Sequence, residues 1–147
     1  MVVSKRARYA AQAVLALSRR GHERPMAVED IAADGRVPAE LLPAILSDLT
    51  AAGIVKPADA RDVYSLDRAP ADISLGDLLR SIQGPGYTHT CLDPEREMEC
   101  ASRASCMLRP IWQSEYDLVR RRYDSTTFQD LARRGLAAPG SGRGLLA

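Results

Sequence analysis

The only cysteines in the chain, Cys91, Cys100 and Cys106, fall within sixteen residues of one another. Thiolates are soft donors that favour zinc, copper(I) and iron–sulfur clusters, so thiols confined to one segment point to a site for such a group. An odd number of cysteines, with no secretory signal, argues against a disulfide framework and for a reducing cytosol. The spacing bears on which group is held. Eight residues separate the first pair and five the second, with no CxxC pair of the kind that favours zinc.

Helical elements lie on both sides of this segment. Ala10, Ala13, Val14 and Leu17 repeat at helical spacing between Ser4, a candidate N-cap, and Gly21. Val28, Ile31 and Ala32 predict a short second helix ending at Asp34-Gly35. Leu41, Leu42, Ile45, Leu46 and Leu49 predict a third, opened by Pro38 or near Glu40 and closed by Gly53. A short helix, a turn holding Gly35 and a longer helix form a helix-turn-helix pattern. Ile54–Lys56 and Val63–Leu66 predict two short strands around a loop with Pro57, Asp59 and Asp62, which makes the unit a winged helix. Ser74 and Asp77 resemble a capping box for a helix through Leu75, Leu78, Leu79 and Ile82, ended by Gly84-Pro85-Gly86.

Beyond the cysteines, Pro110 opens a long helix on which Ile111, Leu118 and Val119 share an apolar seam with Trp112, Tyr116 and Tyr123. Such a helix, following a small domain, would pair with a copy of itself. Thr127 and Asp130 cap a last helix, Phe128 to Arg134, stopped at Gly135. The expected fold is mainly α with a small β-hairpin wing. A winged helix-turn-helix occupies residues 1–83, the cysteine loop 84–109, a dimerisation helix with a C-terminal helix 110–135, and a Gly/Ser/Ala-rich tail 136–147.

The 147 residues carry a net charge of +1, unevenly distributed. Residues 1–36 hold seven Lys/Arg against four Asp/Glu and residues 110–147 six against four, whereas residues 37–83 hold four against seven. Basic ends permit contact with a polyanion. Lys5, Arg6 and Arg8 ahead of Ala10 to Leu17 mimic a signal peptide, but Gln12 interrupts the apolar run and Arg19-Arg20 follow it, so a helix is expected there. No apolar run approaches the ~20 residues that span a bilayer. A cytoplasmic protein without a membrane partner is expected.

The order of these elements resembles the Rrf2 family of bacterial winged-helix regulators, in particular its iron–sulfur members of the IscR, NsrR and RirA types. The resemblance covers roughly residues 3 to 134. Its carriers are Ser4-Lys5-Arg6-Ala7-Arg8-Tyr9-Ala10, Asp30-Ile31-Ala32, Leu42 to Leu49 running on to Ala52-Gly53-Ile54-Val55, Ile73 to Leu79, and Thr127-Phe128-Gln129-Asp130-Leu131. It implies a homodimer on double-stranded promoter DNA, whose binding follows the state of a 2Fe-2S or 4Fe-4S cluster held by Cys91, Cys100 and Cys106.

The chain departs from the family pattern at three places. Relatives that use a carboxylate of the first helix as fourth ligand have it where Arg8 stands here, and those using a histidine three residues after the last cysteine have it where Arg109 stands. His89 is the nearest alternative, followed by Asp93, Glu95, Glu97 and Glu99; His89 also reads as a solvated loop residue. The wing tip, Ala58-Asp59-Ala60-Arg61-Asp62, lacks the family's glycines and carries two acids. Arg61 either enters a narrow minor groove or pairs with Asp59 or Asp62 in water. From Val37 to Val55 there is no Lys or Arg, which leaves Pro38, Ala39 and Glu40 for base contacts, Glu40 as acceptor from a cytosine amine or as a dipole-favouring acid. Phosphate contacts fall to Lys5, Arg6, Arg8, Arg36 and Lys56, each of which also reads as a solvated charge.

Three readings follow: a cluster-controlled regulator, the same fold as a metal-free thiol or zinc switch, and an adaptor that no longer binds DNA. No nucleophile with a neighbouring base, phosphate loop or paired acids suggests an enzyme.

Overall fold

Ala7, Ala10, Ala13, Val14 and Leu17 form the fully buried stripe of α1, Lys5–Arg20, in the computed structural model. The structure describes residues 3–84, 92 and 105–136. Ser4 caps α1, its Oγ accepting from the Ala7 amide at 3.1 Å. Its own amide donates to Gln83 Oε1 at 2.6 Å, which ties the start of α1 to the end of α4, Leu75–Gln83.

The small residues of α1 let α2, Val28–Gly35, come close. A Cβ added to Gly35 would stand 3.2 Å from the Gln12 carbonyl oxygen, backbone that cannot swing aside. Gly35 is thus a helix–helix contact and not the turn residue expected. The left-handed turn residue is Arg36, at φ 52°, and the Val37 amide closes the helix on the Ala32 carbonyl at 2.9 Å.

Helix α3, Leu42–Ala51, begins just after Glu40, close to the later of the two expected starts. Pro38 to Leu41 form a turn, in which the Leu41 amide donates to the Pro38 carbonyl at 3.0 Å. Pro43 explains the later start. In a helix opened at Pro38 it would leave the Ala39 carbonyl without a donor, whereas in the first turn of a helix opened at Leu42 its missing N–H costs nothing. Gly53, at φ 64°, ends α3, with the amides of Ile54 and Gly53 on the carbonyls of Leu49 and Thr50 at 2.9 and 3.0 Å.

The wing strands β2, Val55–Pro57, and β3, Val63–Leu66, pair antiparallel with Val55 opposite Leu66. A third strand, β1 (Met26–Ala27), lies on the other side of β3, giving the order β1-β3-β2. Two residues are too few to show alternation, so the sequence pattern assigns no strand here.

Ser74 and Asp77 form the expected capping box of α4. The long helix α5 spans Arg109–Asp124, and α6 spans Phe128–Leu136, running one residue past Gly135. Phe128 is fully buried in the same cluster as Leu17, Leu46, Ile73 and Leu78, so α6 closes the core of the winged helix. Among the described residues no helix is long and apolar enough to cross a membrane.

Gly35→Ala is expected to lower stability by about 1–2 kcal/mol, because overpacking against the α1 backbone outweighs the better helix propensity of alanine. Urea denaturation of the two proteins checks it; an equal or raised midpoint would mean that α1 yields.

Candidate nucleic-acid interface and thiol site

Leu42, Ile45, Leu46 and Leu49 turn one side of α3 into the core. The opposite side and the turn before it, Ala39, Glu40, Leu41, Pro43, Ala44 and Ser47, are exposed, and Pro38 is half-buried. Pro38, Ala39 and Glu40 therefore lie in the turn that leads into α3, and Pro43, Ala44 and Ser47 continue the outward face on the helix itself.

Several cations of the winged helix are exposed, and one of them reaches α3. Lys5, Arg8 and Arg36 are exposed. Arg6 is held by Asp48 of α3, with Nε donating to Oδ2 at 2.8 Å. Lys56 lies 3.7 Å from Asp67, and Arg61 lies 3.6 Å from Asp62 with its side chain 95% exposed. For Arg61 this is the pairing alternative of the two readings. Such exposed pairs contribute about 0–1 kcal/mol each, little enough for a phosphate to displace them. Asp62 takes the left-handed conformation at φ 56°, where a glycine would be expected, and its carbonyl accepts from the Val28 amide at 2.9 Å. The acid thus sits at a backbone position that fastens the wing to the start of α2.

Of the three cysteines, Cys106 adjoins α5. Cys106 is a free, half-buried cysteine three residues before the start of the helix. Cys91, Cys100 and His89 lie outside the described residues. Among the described residues no group of three His, Cys, Asp or Glu is placed to hold a metal. Neither of the residues at the departures can ligate: Arg8 is exposed on α1, and Arg109 opens α5 with its Nε buried and no hydrogen-bond partner among the described residues.

The far end of α5 is fastened to α4. Arg80 donates from Nη1 to Asp124 Oδ1 at 2.6 Å and from Nη2 to Asp77 Oδ1 at 2.9 Å. Beside it the Leu75 amide donates to the Thr126 carbonyl at 2.8 Å, and the Phe128 amide to the Ile73 carbonyl at 3.0 Å. Gly76 leaves the room for this, since a Cβ there would come within 2.0 Å of Asp124 Oδ1. Burial alone would raise the Asp77 carboxyl; the hydrogen bonds of Ser74 and the Arg80 guanidinium outweigh it and hold the group below its ordinary value. Burial likewise opposes the Arg80 charge, and its bonds to Asp124 and Asp77 more than restore it.

The expected single seam of α5 is divided between two faces. Tyr123 packs against the core cluster, and Trp112, Tyr116 and Val119 are half-buried, whereas Ile111 and Leu118 are each 63% exposed. Leu108, 53% exposed, continues the exposed face.

A family model described as an iron-dependent transcriptional regulator, Rrf2, matches residues 3–134. The chain belongs to the Rrf2 family. It is 30% identical over 141 residues to the rrf2-like helix-turn-helix regulator of Rhodobacter capsulatus, covering 91% of this chain and 94% of that one. Over 133 residues it is also 30% identical to the regulator CymR of Bacillus subtilis, covering 90% of each. The solved structure of that CymR, named there as the global cysteine regulator, superposes with a TM-score of 0.73 over 91% of this chain and 98% of that one at 27% identity. The structure of T. potens IscR superposes with a TM-score of 0.75 over 98% and 94% at 23% identity, a likeness of fold. This Rrf2 protein is thus a winged-helix transcriptional regulator, and its relatives are named as regulators and not as enzymes.

Sequence reasoning missed Arg80, Asp124 and Asp48 as structural parts of this arrangement, and the left-handed backbone at Asp62. Asp77 and Arg80 lie one helical turn apart, a local signal; Asp124 is 44 residues from Arg80 and Asp48 is 42 from Arg6, so no local pattern links them.

The depressed Asp77 carboxyl stabilises the fold above the ordinary carboxylate range of about pH 4, and that contribution is lost as pH falls through its lower folded value. Asp77→Asn should be less stable at pH 7 and lose less stability than wild type between pH 6 and 3. Thermal melts across that range decide it; parallel pH profiles would contradict the assignment.

Proposed function

We propose that this Rrf2 regulator is a homodimer that binds double-stranded promoter DNA under the control of an iron–sulfur cluster, 2Fe-2S or 4Fe-4S, held by Cys91, Cys100 and Cys106. The observation that carries the reading is the path of α5. It leads from Cys106, half-buried beside its first turn, to the Arg80–Asp124 junction with the winged helix. The thiolate donor set suits such a group, which when bound supplies chemistry sensitive to oxidants, nitric oxide and iron status. A helix of 16 residues spans roughly 24 Å and transmits displacement as a rigid rod. Movement at Cys106 therefore swings α5 about its pinned end and shifts one winged helix relative to the other. His89 remains the proposed fourth donor, with Arg8 and Arg109 at the positions where relatives have theirs.

Dimerisation through α5 is supported by its exposed face. Leu108, Ile111, Glu115, Leu118 and Arg122 alternate at spacings of three and four, a coiled-coil seam. Parallel pairing would set like charges together at Glu115 and Arg122. An antiparallel crossing near Leu118 places Glu115 opposite Arg122 of the partner subunit. Trp112, Tyr116, Val119 and Tyr123 brace the inner face of the helix and so hold the seam outward.

On the DNA side, Lys5, Arg8 and Arg36 meet phosphates directly, and Arg6, Lys56 and Arg61 exchange their carboxylate partners for phosphate. Pro38, Ala39 and Glu40 approach the base edges from the turn before α3.

A second reading, a metal-free thiol sensor in the same loop, is favoured by the match to CymR, the global cysteine regulator of Bacillus subtilis. A UV-visible spectrum with iron and sulfide analysis of protein purified without oxygen separates the two. The proposal predicts bands between roughly 320 and 460 nm that are lost in Cys100→Ser. A colourless, iron-free protein even after reconstitution would move the assignment to the thiol sensor.

Asp62→Gly keeps the left-handed backbone and deletes a wing carboxylate. It should tighten DNA binding by roughly two- to fivefold at low salt, with the gain fading as salt is raised. Unchanged affinity at low salt would place the wing away from DNA.

A further inference from the structure

We infer that the exposed face of α3 selects its DNA by the 5-methyl groups of thymine, an inference that rests on the DNA-binding reading above. Between Val37 and Val55 the chain has no Lys, Arg, Asn or Gln. These are the side chains that grip guanine and adenine edges in a bidentate manner, so the two strongest modes of base readout are missing from the helix that faces outward. What it presents instead is apolar. Ala39, Leu41, Pro43 and Ala44 are exposed, with Glu40 and Ser47 among them and half-buried Asp48 and exposed Thr50 further along α3.

Leu41 is the most telling of them. It is a large aliphatic residue left 41% exposed immediately before α3. Its carbonyl accepts from the Ile45 amide at 3.2 Å, so its backbone belongs to the start of the helix and holds the side chain at the end that approaches the groove floor first. Ala44 follows it three residues on, one helical turn away.

The thymine methyl is the one apolar group on the floor of the major groove, and alanine and other small apolar side chains are its matching partners. The charge of the winged helix argues for nucleic acid over an apolar protein segment as the occupant, with Arg6 held on α3 by Asp48. Exposed Lys5, Arg8 and Arg36 belong to the same winged helix and supply the charge complementary to phosphate. Affinity then comes from the cationic flanks and discrimination from methyl contacts on Leu41, Pro43 and Ala44, with Glu40 left to accept from a cytosine amine.

The test uses the full-length protein, purified without oxygen, to select duplexes from a random pool, followed by replacement of each enriched thymidine by deoxyuridine. That exchange removes the methyl group alone and leaves every hydrogen-bonding atom in place. Affinity should fall roughly fourfold for each contacted methyl, the equivalent of one buried methylene group, with an unchanged salt slope. In Leu41→Ser and Ala44→Ser, exposed positions whose melting temperatures should match wild type, the preference for thymidine over deoxyuridine should shrink toward one. Selected DNA bound equally with thymidine or deoxyuridine would overturn the methyl readout while leaving DNA binding in place. Failure to retain any duplex would overturn the DNA-binding reading and this inference with it.

Discussion

Arg80 stands where the structure is joined together. Its guanidinium bridges Asp77, whose carboxylate caps α4, and Asp124, at the last turn of α5. Two backbone hydrogen bonds alongside it, Leu75 to Thr126 and Phe128 to Ile73, continue the seam into α6. Gly76 makes the close approach feasible, because any side chain there would displace Asp124. The ion pairs alone are of the kind worth about 1 kcal/mol or less at a partly exposed site. Their importance is geometric. They fix the direction in which a long helix leaves a small domain, and every proposed property of the dimer depends on that direction.

The winged helix has a matching economy. Its core is built from small residues on α1 and leucines on α3, which leaves the outward side of α3 free. That side carries no Lys or Arg, and the acids Asp48 and Asp62 hold Arg6 and Arg61. Under the proposed function this arrangement lowers nonspecific affinity, since each of those cations must leave a carboxylate before meeting a phosphate. A regulator that has to release DNA when its loop changes state benefits from a weak electrostatic contribution.

Much of this was legible in the chain. The periodicity of Ala10 to Leu17, the Ser74/Asp77 capping box and the Gly53 helix end each rest on residues within one or two turns, and each appears as expected. The start of α3 is ambiguous in the sequence because Pro38 can open a helix while Pro43 favours a start near Glu40, and the turn resolves it with the Leu42 amide on the Ala39 carbonyl. Gly35 looked like a turn glycine because its contact, the Gln12 backbone, lies on another helix. Strand β1 was hidden because a two-residue strand is defined by its partner β3 alone. The ion pairs joining Arg6 to Asp48 and Arg80 to Asp124 lie beyond any local spacing rule. Of the thiol site, Cys106 alone falls among the described residues, and the loop's grouping was read from the spacing of the cysteines.

The central claim is that the Arg80–Asp124 junction transmits the state of the cysteine loop to the DNA-binding face. Its most direct test is the ratio of affinities of cluster-loaded and cluster-free protein for one selected duplex at one salt concentration, measured for wild type and for Arg80→Met. The account predicts a ratio well away from one in wild type that collapses toward one in Arg80→Met, while the visible spectrum of the loaded variant is unchanged. A variant that keeps the wild-type ratio would contradict it and place the coupling elsewhere.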